Sequence, residues 1–406
     1  LIFGAGAVVG KTNPASRFSS PSERLAFTIR RMDWISLRDE FPATRRWAFL
    51  DHAAVAPLSG RARRAYVEWV DDLAENGVAH EPHWLKRVEE ARRAAGRLLN
   101  VDPLDVAFIK NTSEGIGFVA EGLPWQAGDN VVTAAEEYPS NLYPWMNLAG
   151  RGVEVRCVPS RGNRIEIDDL RAAMDERTRL VTLSFVEFAS GFRNDLDAIG
   201  GLCRERGILF FVDAIQGLGV LPLDLQRTPI DFLAADGHKW LLGPEGAGVF
   251  FVRRERVEQL HPVSVGWNSM VSGFDFSKVE LRFKPHAGRW ENGTLNVGGV
   301  VALGTSIELL LGLGIDAITV RVLELTDHLC DKARASGIEV FSSRRPEDRS
   351  GIVSLVLPGE VKALTHRLRD EGFVVAARAG RLRVSPHCYN TTEELDRLID
   401  RIGAWK

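Results

Sequence analysis

Two side chains able to share one reaction stand at the ends of two apolar runs. ILFFVD closes on Asp213 and DFLAADGHK closes on Lys239, with Gln216 three residues beyond the acid and His238 next to the lysine. Each run is too short to cross a bilayer and suits a strand buried on both faces. In open parallel sheets the rim where strands end is where ligands bind. A buried acid can keep a heteroaromatic ring nitrogen protonated, and a lysine can hold an aldehyde as a Schiff base; pyridoxal 5'-phosphate asks for both. Singly, Asp213 reads as a cap or turn former and Lys239, beside Trp240, as a solvated charge. It is the combination that points to a cofactor.

The stretch resembles the cofactor-binding core of class V aminotransferases and cysteine desulfurases. Their pattern V-D-x-x-Q, then D-x-x-x-x-x-x-H-K, then a glycine-rich strand, is matched by Val212, Asp213, Gln216, Asp231, His238 and Lys239, followed by Gly243, Gly246 and Gly248. The resemblance runs from Met32 to the C-terminus. It implies the α/β fold type I of pyridoxal-phosphate enzymes, a large doubly wound, mostly parallel sheet with a smaller C-terminal α+β domain. The expected division is an N-terminal segment at 32–60 packing with the small domain, a cofactor domain at 61–300 and the small domain at 301–406.

The resemblance also implies roles. Asp213 neutralises the ring nitrogen, Gln216 meets the ring oxygen, His238 adjoins the cofactor, and Lys239 carries it and then moves the substrate's α-proton. Thr112 and Ser113 open a helix after VAFIKN, where free N–H groups and the dipole favour a phosphate; as an isolated signal this is an ordinary cap. Tyr138 stands where desulfurases stack a histidine on the ring, a task open to any flat aromatic. Arg383 matches the arginine that clamps the substrate's α-carboxylate, with Arg378 in reserve, because a bidentate guanidinium suits that task. His52 and Ala53, in DHAAVAP, fall where the family brings small residues and backbone to the substrate. Thr294, in the segment Arg289 to Asn296, corresponds to a threonine that reaches the neighbouring subunit's phosphate, which implies a homodimer acting on a small amino-acid substrate.

Two departures bear on the reaction. Phe188 replaces an asparagine of the desulfurases, and EGFVVAARAGRLRVS runs to Arg383 with neither a cysteine nor room for the loop that carries one. Persulfide transfer is therefore disfavoured, and Cys388 reads as a packing thiol. A class V aminotransferase is the leading reading. A carbon-sulfur lyase or a cysteine desulfurase or selenocysteine lyase-like β-eliminating enzyme, an amino-acid epimerase, and an inactive scaffold of the same fold are the alternatives. Ser190, Gly191 and Arg193 are further substrate-side candidates.

The totals set bounds. A chain of 406 residues exceeds what one core normally supports, so two domains are expected. A net charge of -3, with both signs mixed along the chain, gives no footprint for nucleic acid or an anionic membrane. Four scattered cysteines form no C-x-x-C, arguing against a metal site or disulfide framework and for reduced thiols in the cytoplasm. No apolar run reaches the ~18 to 20 residues of a membrane span, since Ser306 and Glu308 interrupt the nearest one. Residues 1–31 read as an N-terminal extension, disordered or outside the native fold. Its AGAVVGKT falls one residue short of a phosphate-binding loop and lacks the strand that should lead into it. Periodicity predicts solvent-facing helices over 61–100 and a helix in RRERVEQL.

Overall fold

The apolar runs become strands wherever both faces can be covered. In this computed structural model, which describes residues 33–404, the short β1 (Ala48–Phe49) precedes the strands of the large sheet. These are β2 (Val106–Ile109), β3 (Asn130–Ala134), β4 (Glu154–Val158), β5 (Thr178–Ser184), β6 (Leu209–Asp213), β7 (Phe232–Asp236) and β8 (Gly248–Val252). Their order is β2-β8-β7-β6-β5-β3-β4. From β4 across to β7 every neighbour is parallel, and β8 lies antiparallel between β7 and β2. The expected extension at 1–31, with AGAVVGKT, lies outside the described residues.

Parallel pairing brings several strand ends to one rim. Register sets Ser184 opposite Asp213 and Asp213 opposite Ala234. Every residue of β6 and β7 is buried, as continuous apolar runs in a sheet covered on both faces require.

The C-terminal part is built differently. A four-stranded antiparallel sheet has the order β12-β13-β10-β9, from β9 (Glu339–Val340), β10 (Val353–Val356), β12 (Ala376–Arg378) and β13 (Arg381–Val384). Between these, β11 (Phe373–Val374) pairs in parallel with β1. Asp51, two residues beyond β1, bridges to Ser385. The segment before residue 60 is thereby tied to the C-terminal strands.

Two helix expectations, at Glu81–Leu99 and in RRERVEQL, need correction, while Gly60–Asn76 faces solvent as expected. The helix Glu81–Leu99 does not simply face solvent: it buries Trp84, Val88, Ala91, Leu98 and Leu99 along one face, and Arg92 with them. Gly60–Asn76 leaves Val67, Val70 and Leu73 exposed. RRERVEQL forms only the 3-10 turn Arg254–Arg256, because Arg253 Nε bonds Ile230 O at 2.7 Å and Arg256 Nε bonds Asp231 at 2.8 Å, which pins the backbone to the sheet. Among the described residues no single helix is long and apolar enough to cross a membrane; Val297–Leu313 and Ile315–Ala335 are apolar as a pair but bend by 81°.

Arg92 enters the interior because it is fully matched there. Its two terminal nitrogens meet Glu291 at 2.6 and 3.0 Å, one of them also bonds Val106 O at 2.9 Å, and Glu291 accepts Phe108 N at 2.7 Å. Removing one partner would leave the other charge buried and alone. Glu291→Ala is expected to lose about 3–5 kcal/mol of unfolding free energy, read as a lower urea midpoint, whereas Glu89→Ala, on the same arginine but exposed, should lose under about 1 kcal/mol.

Candidate active site

The rim of the large sheet opens into a cavity of about 390 Å³ whose lining includes Asp213, Lys239, Gln216, Thr112 and Arg383. Asp213 ends β6; Ile215 N donates to its Oδ1 at 3.1 Å. Burial pushes its carboxyl up to about 6, opposed by that N–H and by the charge of Lys239. Lys239 stands in the turn after β7, where Gly243 N bonds Gly237 O at 2.8 Å. An added Cβ on Gly237 would lie 2.5 Å from Ala247 O, so this turn admits no side chain there. Burial lowers the Lys239 amine to about 8; Asp213 pulls it back up, and Arg383 pushes it further down. The two residues do meet in one cavity.

Polar groups are gathered at the start of the helix Thr112–Gly122. Its cap is Asn111, whose Oδ1 accepts Glu114 N at 2.9 Å. Asn111 was missed in the sequence, although an Asn directly before Thr-Ser-Glu is a cap signal. Thr112 Oγ1 accepts Asp236 N at 3.0 Å, which holds the helix start against the end of β7. Ser113 Oγ donates to Ser140 Oγ at 2.8 Å, and both line the cavity. His238 lines it too, with Nδ1 3.0 Å from Asp236 Oδ2 but outside hydrogen-bond geometry. Tyr138 faces the lysine: Nζ lies 5.6 Å from the ring centroid, and Phe188 meets the ring edge-on at 5.1 Å.

Gln216 is held at both ends of its amide. Nε2 donates to Ala53 O at 3.0 Å and Oε1 accepts from Trp240 Nε1 at 2.9 Å, which leaves one N–H for a ligand. Ala53 lines the cavity as expected, but His52 does not. The imidazole is fully buried, its Nε2 2.6 Å from Tyr389 OH and its Nδ1 2.9 Å from Ser385 O. Burial holds it down to about 4, so it is a neutral interior group and not the substrate contact expected of it.

Arg383 lines the cavity while only 1% exposed. Nη1 donates to Phe188 O and Nη2 to Asp51 Oδ1, each at 3.0 Å, and Nε is buried without a partner. Asp51 is the second residue that sequence reading missed; only its place in DHAAVAP hinted at it. Arg378 lines the same cavity, and its Nη1 bonds the adjacent Ala377 O.

Other candidates lie elsewhere. Arg193 bonds Glu347 O and Pro346 O at 2.9 and 3.1 Å, and Ser342 Oγ donates to Ser190 O at 2.5 Å. Gly191 has φ +75° and Ile352 O 2.3 Å from where a Cβ would stand. All three fasten the loop after β5 to the C-terminal part instead of facing substrate. Thr294 and Trp267 line a separate cavity of about 590 Å³ with Trp69, Trp84 and Phe274. Between β12 and β13 there is only the turn Ala379 and Gly380, at φ 47° and 74°. None of the four cysteines lines the Lys239 cavity, and Cys388 is buried against His387.

This donor set fits pyridoxal phosphate. An acid and an amine share one enclosed space, hydroxyls and free N–H groups at a helix start suit a phosphate, an aromatic ring stands over the amine, and an unpartnered Nε marks Arg383 as short of one acceptor.

The family described as Aminotransferase class-V matches residues 48–398. A protein named probable cysteine desulfurase from Methanothermobacter thermautotrophicus is 30% identical, over 89% of this chain and 95% of its own. The isopenicillin N epimerase of Streptomyces clavuligerus is 34% identical, over 78% of this chain and 83% of its own. Among solved structures, the cysteine desulfurase of Thermococcus onnurineus NA1 superposes with a TM-score of 0.84 at 23% identity, covering 91% of this chain and 97% of that one, a likeness of fold.

An amine attacks an aldehyde only when neutral, and Lys239 titrates near about 8. The rate at which the cofactor-free protein develops visible absorbance with pyridoxal phosphate should rise about tenfold per pH unit below that value and level off above it. Stopped-flow absorbance checks it, with Lys239→Ala giving no such absorbance at any pH.

Proposed function

Because the chain belongs to the class V aminotransferase family, a family of pyridoxal-phosphate-dependent enzymes, we propose that it acts at the α-carbon of an amino acid with Lys239 and Asp213 as its central residues. The carrying observation is that the two side chains, from the ends of neighbouring strands, line one cavity. When bound, the cofactor supplies an electron-withdrawing ring for the electron pair freed at the substrate's α-carbon.

Thr112, Ser113 and the helix start would hold the phosphate, Asp213 the ring nitrogen, Gln216 the ring oxygen through its remaining N–H, and Tyr138 the ring face. His238, its Nδ1 3.0 Å from Asp236, sits beside the lysine. Lys239 Nζ, whose proton affinity is lowered by burial, takes and returns the proton at the α-carbon. Arg383 receives the α-carboxylate, and Asp51 with Phe188 O holds its guanidinium plane in place, as bidentate recognition requires.

Transamination is the reading we favour within this family. Epimerisation is the second, supported by the 34% identity to an epimerase and by a lysine able to handle the α-proton. The two-residue turn before β13 counts against a nucleophilic cysteine and so against persulfide transfer. We also infer a homodimer in which Thr294 meets the other subunit's phosphate. It is exposed, away from its own Lys239 cavity and beside Leu73, Val78 and Phe274, an apolar face suited to a second copy. The β1–β11 pairing supports joining 32–60 to the C-terminal part, the division at 300 has to move because it falls inside the helix Val297–Leu313, and free thiols accord with the cytoplasm.

Amino acids deuterated at the α-carbon separate the reactions. Transamination releases more than one oxo acid per active site only when a second oxo acid accepts the amino group; epimerisation exchanges the deuterium and inverts the centre with no oxo acid. Washout by neither route, in a protein that binds the cofactor, would sink the proposal. Arg383→Lys should raise KM roughly tenfold, about 1.4 kcal/mol, with a smaller change in kcat, since an ammonium cannot make the paired contact.

A further inference from the structure

Asp213 is accompanied by two more buried acids. Glu137, in the loop after β3, and Glu187, in the loop after β5, are each 3% exposed. Both are fastened to Ser184, the residue opposite Asp213 in register. Glu137 takes Ser184 N on one oxygen at 2.5 Å and Ser184 Oγ on the other at 2.6 Å. Asn194 Nδ2 bridges Ser184 O at 2.8 Å and Glu187 Oε1 at 2.9 Å. The second oxygen of Glu187 and Asn194 Oδ1 are buried with no partner.

The charged groups that bear most on Glu187 are the acids Glu137, Asp213 and Glu136, and on Glu137 it is Asp213; Lys239 faces Asp213. Three carboxyl groups out of water beside a single lysine cannot all be ionised, since each charge raises the proton affinity of the next. Burial accordingly drives Glu137 up to about 7 and Glu187 well above the usual carboxylate range. Two acids coupled this closely titrate as a pair.

We propose that Glu137 and Glu187 share one proton and keep one negative charge next to Asp213, and that this charge raises the proton affinity of the ring nitrogen which Asp213 meets. Neither acid lines the cavity, so both act through Ser184 and Asp213 as positioning residues. The second half of the proposal rests on the cofactor reading above; the first half does not.

Two measurements on the full-length chain test it. Without cofactor, the infrared spectrum near neutral pH should hold a protonated-carboxyl band that shifts in deuterium oxide and is lost in Glu187→Gln, which removes one of the two acids and leaves Glu137 ionised. With pyridoxal phosphate labelled with 15N at the ring, the nitrogen's pH titration by NMR should move down by one unit or more, a loss of about tenfold in proton affinity, in the double variant Glu137→Gln, Glu187→Gln. A spectrum with no carboxyl band that depends on Glu187 overturns the shared proton, and a nitrogen titrating as in the parent overturns its effect. Should the double variant lose its circular-dichroism fold, the infrared result on Glu187→Gln decides. Failure of the cofactor reading shows separately, as no visible absorbance dependent on Lys239.

Discussion

An acid and an amine kept out of water at the ends of β6 and β7 are the constraint that the surrounding structure answers. In a low-dielectric pocket each is costly alone and tolerable near the other, which is why burial lifts Asp213 while Lys239 restrains it, and the reverse holds for the amine. The same desolvation makes Lys239 a usable base near neutral pH. Stability and reactivity here are two readings of one electrostatic arrangement.

Around that pair the walls are assembled from distant parts of the chain. Arg383 on β13 is gripped by Asp51 near β1 and by Phe188 O after β5, three segments meeting at one guanidinium. Gln216 likewise ties the loop after β6 to Ala53 and to Trp240, the neighbour of Lys239. The polar contacts that shape the cavity are therefore also the contacts that hold the N-terminal segment and the C-terminal strands to the large sheet.

Two faces of the molecule follow different rules. At the rim, polar groups are buried and mostly hydrogen-bonded, with Glu137 bound directly to Ser184 and Glu187 linked to it through Asn194. On the far cavity that holds Thr294, aromatic and aliphatic side chains remain exposed, with Phe274 at 63% and Leu73 at 47%. A contiguous apolar surface of that kind is what a second protein surface covers.

Local chemistry made much of this legible in the sequence. Unbroken apolar runs forced buried strands, Thr112 and Ser113 marked a helix start, and the short link from Ala376 to Arg383 left no space for a reactive loop, because strand burial, capping and chain length are properties of neighbouring residues. What depended on groups far apart in the chain was not legible. His52 was sealed by Tyr389 and Ser385, Arg193 was drawn to Glu347, and RRERVEQL was unwound by Asp231 and Ile230; Asp51 acquired its partner Arg383 only when strands from opposite ends of the sequence came together. Residue types determined which chemistry was possible, and only the packing of the folded chain decided which side chains were left free to take part in it.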